Sequence, residues 1–408
     1  MRAAEFDLVV FGASGFTGRL VAEYLQSHAP PDLRWALAGR TKSKLAEVRQ
    51  RIGAVGSLPL IKADAADPSS LTELARRSRV VITTVGPYQK YGEPLLQACA
   101  EQGCDYVDLC GEPAWMAQMI QRHQAAAQAS GARIVFSCGF DSVPFDMGVF
   151  YLQEAARQRF GQPLQRVQGQ VLVMKGGFSG GTAASLIATL QAVAKDKAVA
   201  QSMADPFALT PGFTGPPQPD NLQAQYEAEA DCWSAPFVMA PINTKNVHRS
   251  NLLLGHAWGT NFVYEERQLM GELGSGNAGE LRARGAARTA LWQSKALAFA
   301  PSRALIQRFV LPKPGEGPNA AERESGRYVL RFAGTTADGQ SLSATVKGDR
   351  DPGYGSTSKI ISECAQCLLG EVSTEVKPGG IWTPAAALGK RLLARLQRKA
   401  GLSFELNA

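Results

Sequence analysis

At 408 residues and 43.6 kDa, with 45% hydrophobic and 19% charged residues, the chain is a globular protein with room for two or three cores. Its formal charge of +7 does not point to nucleic acid, because the cations are scattered among acids; an anionic cofactor or substrate suits it better. Seven irregularly spaced cysteines exclude a disulfide framework and no apolar run spans a bilayer, so a reducing cytoplasm is expected, with membrane contact at most peripheral.

The chain opens on a strand, Asp7 to Phe11, that runs into Gly12-Ala13-Ser14-Gly15-Phe16-Thr17-Gly18 and then into helical periodicity. Strand, tight turn and helix with this glycine spacing predict a bound dinucleotide: Gly12 for the turn, Gly15 for close approach to a pyrophosphate, Gly18 for close packing of helix on strand. Ser14, Phe16 and Thr17 complete the expected cradle. Leu33 to Ala38 reads as strand two and ends at Gly39-Arg40. Where a carboxylate would accept from a free ribose 2′-OH, the chain offers Arg40 and Lys44, cations that match a 2′-phosphate, so NADP is the expected cofactor.

Ser57 to Asp64 predicts strand three, with Asp64 placed to bond an adenine amino group, and Asp67-Pro68 caps the next helix. Val80 to Val85 predicts strand four, broken by Gly86-Pro87-Tyr88 at the edge where a nicotinamide ribose would lie. Tyr88 is a catalytic candidate or a packed aromatic. Asp105 to Leu109 and Ala132 to Ser137 are strands five and six, the former left through Glu112, which is read as a cap on the helix starting at Pro113. Strands alternating with helices in this way predict a doubly wound Rossmann domain over residues 1–146.

The junction Cys138 to Asp146 should address a substrate, with Asp141 and Ser142 as leading candidates and Asp146 as a helix cap. From 147 to 353 an α+β substrate domain is expected. It carries a strand over Val167 to Met174 and a second glycine-rich turn in which Ser179, Gly180, Gly181 and Thr182 could cradle a substrate anion or carbonyl. Asp205 to Pro219 reads as a loop or lid, and Phe237, Met239, Trp258, Phe262 and Tyr264 suggest an apolar pocket or an ordinary core. His248 and His256 read as satisfied structural imidazoles and no metal is expected. Tyr328 to Phe332 and Ser341 to Lys347 flank Asp338-Gly339 as a hairpin. Residues 354–408 are expected to be a helical segment packing back on both domains, with Arg350 and Tyr354 returning toward the cleft as catalytic and substrate-binding candidates. Cys364 and Cys367 read as core, and Leu388, Leu392, Leu393 and Leu396 as the docking face of a last helix.

These motifs, together with Ala38-Gly39-Arg40, Gly139-Phe140-Asp141-Ser142-Val143-Pro144, Pro314-Gly315-Glu316-Gly317-Pro318 and Gly379-Gly380-Ile381-Trp382-Thr383-Pro384, resemble those of the saccharopine dehydrogenase-like oxidoreductases. The resemblance is closest to the trans-acting enoyl reductase branch. It implies an NADP-type Rossmann domain joined to an α+β domain, and hydride delivery to a carbon–carbon double bond of a lipid-like intermediate. The junction departs from the glycine-rich signature of true saccharopine-forming enzymes, which argues against lysine metabolism. No tyrosine has the lysine four residues on that short-chain reductases use; Tyr354 and Lys359 miss it by one. The expectation is therefore an NADPH-dependent reductase of an α,β-unsaturated carbonyl, a homodimer acting on a small molecule. Imine reduction and NADPH sensing without turnover are the competing readings.

Overall fold

A computed structural model describes residues 4–54, 56, 58–176, 180–298 and 317–407. The first unit runs β1 (Phe6–Phe11), α1 (Phe16–His28), β2 (Trp35–Gly39), α2 (Lys42–Arg51), β3 (Leu60–Lys62), α3 (Pro68–Arg77) and β4 (Ser78–Thr83). It continues through α4 (Tyr88–Tyr91), α5 (Glu93–Gln102), β5 (Asp105–Val107), α6 (Pro113–Ser130) and β6 (Arg133–Val135). A connecting helix, α7 (Val143–Phe160), leads to β7 (Arg166–Lys175), α8 (Gly180–Lys195), α9 (Lys197–Ala204), β8 (Gln225–Glu227), β9 (Cys232–Pro236), α10 (Ala240–Leu253) and β10 (Val263–Leu269). Then come α11 (Glu280–Ala298), α12 (Ala320–Ser325), β11 (Arg327–Thr335), β12 (Ser341–Gly348), α13 (Thr357–Gly370), β13 (Gly380–Trp382), α14 (Pro384–Lys399) and β14 (Leu402–Leu406).

One seven-stranded sheet, in the order β13-β6-β5-β4-β1-β2-β3, is parallel throughout. β1 is buried along its whole length, as a central parallel strand covered on both faces must be. Its alternate residues feed different cores. Val9 and Phe11 pack with Val81 under α3, α5 and α6, whereas Leu8 and Val10 pack with Val80 and Ile82 in a core that continues into the second unit.

The second sheet runs β14-β12-β11-β7-β10-β9-β8 and is antiparallel except where β7 and β10 pair in parallel. The expected hairpin is β11 and β12, paired from Tyr328 with Gly348 to Thr335 with Ser341. Between the sheets lies α7, buried from Val143 to Phe150 and at several later positions. A Cβ on Gly148 would enter the Phe332 ring of β11, so that glycine sets how closely helix and sheet approach.

Several expectations change here. The segment after 353 does pack back, but it is not only helical: β13 extends the first sheet and β14 the second, so neither sheet is complete without the carboxyl end. β3 is confined to Leu60–Lys62. The 205–219 loop is anchored rather than a free lid, since Leu209 is fully buried and Arg249 donates to its carbonyl at 2.7 Å. Phe237, Trp258, Phe262 and Tyr264 fill the shared core, with Met239 packed against it, instead of lining a pocket. Cys364 and Cys367 are fully buried on α13, and the described residues hold no cluster of metal-ligating side chains.

Candidate dinucleotide and substrate site

The glycine-rich loop has the geometry its spacing predicts. Gly12 sits at φ +88°, a left-handed backbone that costs a side chain dearly, and its carbonyl accepts from Gly15 N–H at 2.9 Å. A Cβ on Gly18 would collide with the Gly12 carbonyl oxygen and stand 2.8 Å from its carbonyl carbon and from Thr84 Oγ1. α1 therefore lies directly against the turn. No side chain caps its start at Gly15, so the first-turn N–H groups over Phe16, Thr17 and Gly18 face outward without an intrahelical acceptor. An uncapped N-terminus beside an exposed Ser14 and Gly15 fits a pyrophosphate. Ser14 Oγ lies 3.8 Å from where a Cβ of Gly39 would be, which places the end of β2, and so the exposed Arg40 and Lys44, beside the same loop. Asp64 follows β3 half-buried and accepts from Ala66 N–H at 3.0 Å, so part of its bonding capacity is spent on its own turn.

At the carboxyl edge of β4, β5 and β6 a chain of contacts gathers the second group of candidates. Gly86 is exposed, Pro87 is buried, and Ser185 of α8 comes within 3.6 Å of a Cβ on Gly86, so the second unit covers this edge. Tyr88 is not available for catalysis. It is buried, its hydroxyl donates to Thr83 O at 3.3 Å and accepts from Leu109 N–H at 3.0 Å, and burial drives its ionisation far upward. Its role is to tie β4 to β5. Glu112 is a cap, but not of α6: its two carboxylate oxygens accept from Tyr88 and Gln89 N–H at 2.9 Å each, closing the start of α4.

Past β6, Phe140 N–H donates to Thr357 Oγ1 at 3.0 Å, so α13 holds the junction loop in place. Asp141 follows, half-buried, with no hydrogen bond or ion pair among the described residues, and burial raises its carboxyl to about 6. Ser142, expected to face substrate, is turned away: it donates to Asn243 Oδ1 and accepts from Asn246 Nδ2, each at 3.1 Å. Asp146 caps the far helix α14 instead of its own, accepting from Ala385 N–H and Ser250 Oγ; burial lifts it to about 7.

The element that sequence reasoning missed is α10. Ten of its residues are buried, among them Asn243, Lys245, Asn246, His248, Arg249, Ser250 and Asn251, so it shows no polar face and no apolar stripe to reveal it. Asn243 also donates to Glu266 at 2.9 Å, to which Tyr264 donates at 2.8 Å; burial raises Glu266 to about 8. Lys245 donates to Met203 O, and Arg249 to Leu209 O and Ile381 O. His248 and His256 are structural but not satisfied. His248 packs on Phe207 and Phe262 and His256 on Phe213, and His248 Nε2 and His256 Nδ1 are buried without a partner among the described residues; burial lowers His248 to about 3. The only available signal was the density of Asn, His and Arg between Asn243 and Asn251.

The carboxyl-terminal candidates do return. Tyr354 packs edge-on against Phe16 at 5.1 Å, bringing the wide turn Pro352–Ser356 onto the glycine-rich loop. Asp351 closes that turn by accepting from Tyr354 and Gly355 N–H. Arg350, just before it, is half-buried with no partner among the described residues. Ser179 lies outside the described residues; Gly180, Gly181 and Thr182 form the first turn of α8. A cavity of about 240 Å³ opens between Gln89, Glu112 and Trp115 on one side and Thr189 of α8 with Val199 and Met203 of α9 on the other.

The model of the saccharopine dehydrogenase NADP-binding domain matches residues 8–135, which is β1 through β6. A Mycobacterium tuberculosis protein provisionally named a trans-acting enoyl reductase is 40% identical, over 98% of this chain and 97% of its own. The trans-acting enoyl reductase of Mycobacterium ulcerans is 36% identical over 96% of each chain. Among solved structures, saccharopine dehydrogenase (L-Glu forming) from Saccharomyces cerevisiae superposes with a TM-score of 0.52 at 13% identity, over 99% of this chain and 100% of that one, a likeness of fold alone.

Proposed function

Because the chain belongs to the trans-acting enoyl reductase family of saccharopine dehydrogenase-like proteins, we propose that it reduces the carbon–carbon double bond of an α,β-unsaturated carbonyl. It is an NADP-dependent oxidoreductase, and NADPH bound along the glycine-rich loop supplies the hydride. The cradle residues Gly12, Ser14, Gly15, Phe16, Thr17 and Gly18 hold the pyrophosphate, Arg40 and Lys44 meet the 2′-phosphate, Asp64 faces the adenine, and Gly86 and Pro87 border the ribose at the reacting end. The substrate lies between the carboxyl edge of the parallel sheet and α8. Hydride arrival at the β-carbon leaves negative charge on the carbonyl oxygen, which Arg350 and the amino end of α8 are suited to stabilise. Asp141, without a partner among the described residues, donates the proton to the α-carbon from its protonated form.

The observation that carries this reading over imine reduction is the state of the cations on α10. Lys245 and Arg249 are buried and turned onto backbone carbonyls, Lys245 onto that of Met203 and Arg249 onto those of Leu209 and Ile381, so this helix presents no pair of free cations for an amino-acid carboxylate. The test is NADPH consumption with enoyl thioesters, simple enones and keto acid plus amine mixtures. Turnover is expected with the first two classes; turnover confined to the amine mixtures would overturn the proposal.

Cofactor choice is tested separately through Arg40→Asp. Replacing a cation by an anion beside a 2′-phosphate should weaken NADPH binding about 30-fold or more and leave NADH binding within about threefold. Equal losses for both, measured by titration calorimetry, would remove Arg40 from that role.

A further inference from the structure

The charge of this chain is less evenly spread than its totals suggest. From Leu281 to Gly315 there are seven Lys and Arg residues and no Asp or Glu, so one stretch matches the entire formal excess of +7. Its described part is α11, and the side chains there are placed to meet an external surface. Leu281 is 85% exposed, Trp292 73% and Leu291 58%. Arg282, Arg284 and Arg288 are exposed between them, while Ala283 on the opposite face is fully buried. Residues 281, 288 and 292 recur at helical spacing, so leucine, arginine and tryptophan form one outward stripe.

A monomer surface normally keeps a large indole out of water, and an isolated exposed leucine needs no explanation; a stripe carrying both among cations does. Helices with Trp and Leu beside Arg lie in the interface of a bilayer, the rings at headgroup level and the guanidinium groups on lipid phosphates. No helix among the described residues is long and apolar enough to cross a membrane, so the contact would be lateral. α11 packs on α8, the helix whose Ser185 approaches Gly86, so the stripe belongs to a helix fixed on the folded body rather than to a free arm.

We propose that the outward face of α11 docks the protein on an anionic lipid surface. An acidic protein would satisfy the arginines, but it would not by itself account for an indole and two leucines presented to solvent along a helix with no acid after Glu280. The proposal is independent of the reaction assigned above.

The experiment is cosedimentation of the full chain with vesicles of phosphatidylcholine alone and of phosphatidylcholine with phosphatidylglycerol. Binding is expected to the mixed vesicles only, falling as salt rises. Leu281→Glu with Trp292→Glu, and separately Arg284→Gln with Arg288→Gln, should each weaken it about tenfold or more, with NADPH turnover of a water-soluble enone unchanged. Quenching of tryptophan emission by brominated lipid should be lost in Trp292→Phe. No binding to mixed vesicles, binding unaltered by the variants, or binding only to an acidic protein would each overturn the proposal.

Discussion

Gly18→Ala is expected to raise the dissociation constant for NADPH on the order of 100-fold while leaving most of the chain folded. The added methyl group has no free space: it meets the backbone carbonyl of Gly12 and the Oγ1 of Thr84 at the end of β4, and backbone cannot swing aside as a flexible side chain would. Either α1 retreats from β1 or the loop deforms. Both displace the first-turn amides by a few tenths of an ångström or more, and those amides are the proposed anion site. Overpacking of this kind costs about 1–3 kcal/mol of stability as well, seen as a lower thermal midpoint. Gly111, whose Cβ would meet nothing, is the control: Gly111→Ala should change neither quantity. An affinity within about threefold of the parent for Gly18→Ala would show that the dinucleotide does not lie on this loop.

Asp141→Asn should lower kcat by about 10²- to 10⁴-fold with NADPH affinity unchanged. Burial, with no compensating donor among the described residues, holds the carboxyl up at about 6, where a fraction still carries a proton toward neutral pH. The sign follows from the role. A general acid works in its protonated form, so kcat should be level below about pH 6 and fall as pH rises through it. Asn can neither donate that proton nor titrate, and its profile should be flat across that range. A variant that keeps kcat within about threefold, or an unchanged profile, would remove Asp141 from the chemistry. Asn243→Ala, which removes one of the two side-chain partners of Ser142 and so loosens the loop, should show a smaller loss of kcat without moving the pH at which the profile bends, as expected of a positioning residue.

The contrast between Asp141 and its neighbours shows what local reading could reach. The residue types at the junction, an acid and a hydroxyl between a strand and a helix, marked it as chemically active. Which of the two stays unpaired depended on α10, a helix a hundred residues later that takes up Ser142 through Asn243 and Asn246. α10 escaped detection because amphipathic periodicity needs one face in water, and this helix has none. Glu112 and Asp146 were legible as caps, since a carboxylate near a helix start is favoured by the helix's own dipole. Each instead caps an element distant in sequence, α4 and α14, which no spacing rule encodes.

By itself the sequence determined the β1–turn–α1 cradle, the alternation that builds a parallel sheet, the cation where an NAD site keeps an acid, and the hairpin at Asp338-Gly339. All of these rest on interactions within a few residues: glycine backbone freedom, the period of burial, the demands of a tight turn. Only the tertiary structure decided that β13 and β14 complete the two sheets, that Tyr354 closes on Phe16, that Tyr88 and Ser142 are occupied, and that Asp141 and Arg350 are left unpartnered among the described residues. The physical reason is that a polar group's role depends on whether a partner reaches it once water is excluded, and here the partners come from strands and helices tens to hundreds of residues away.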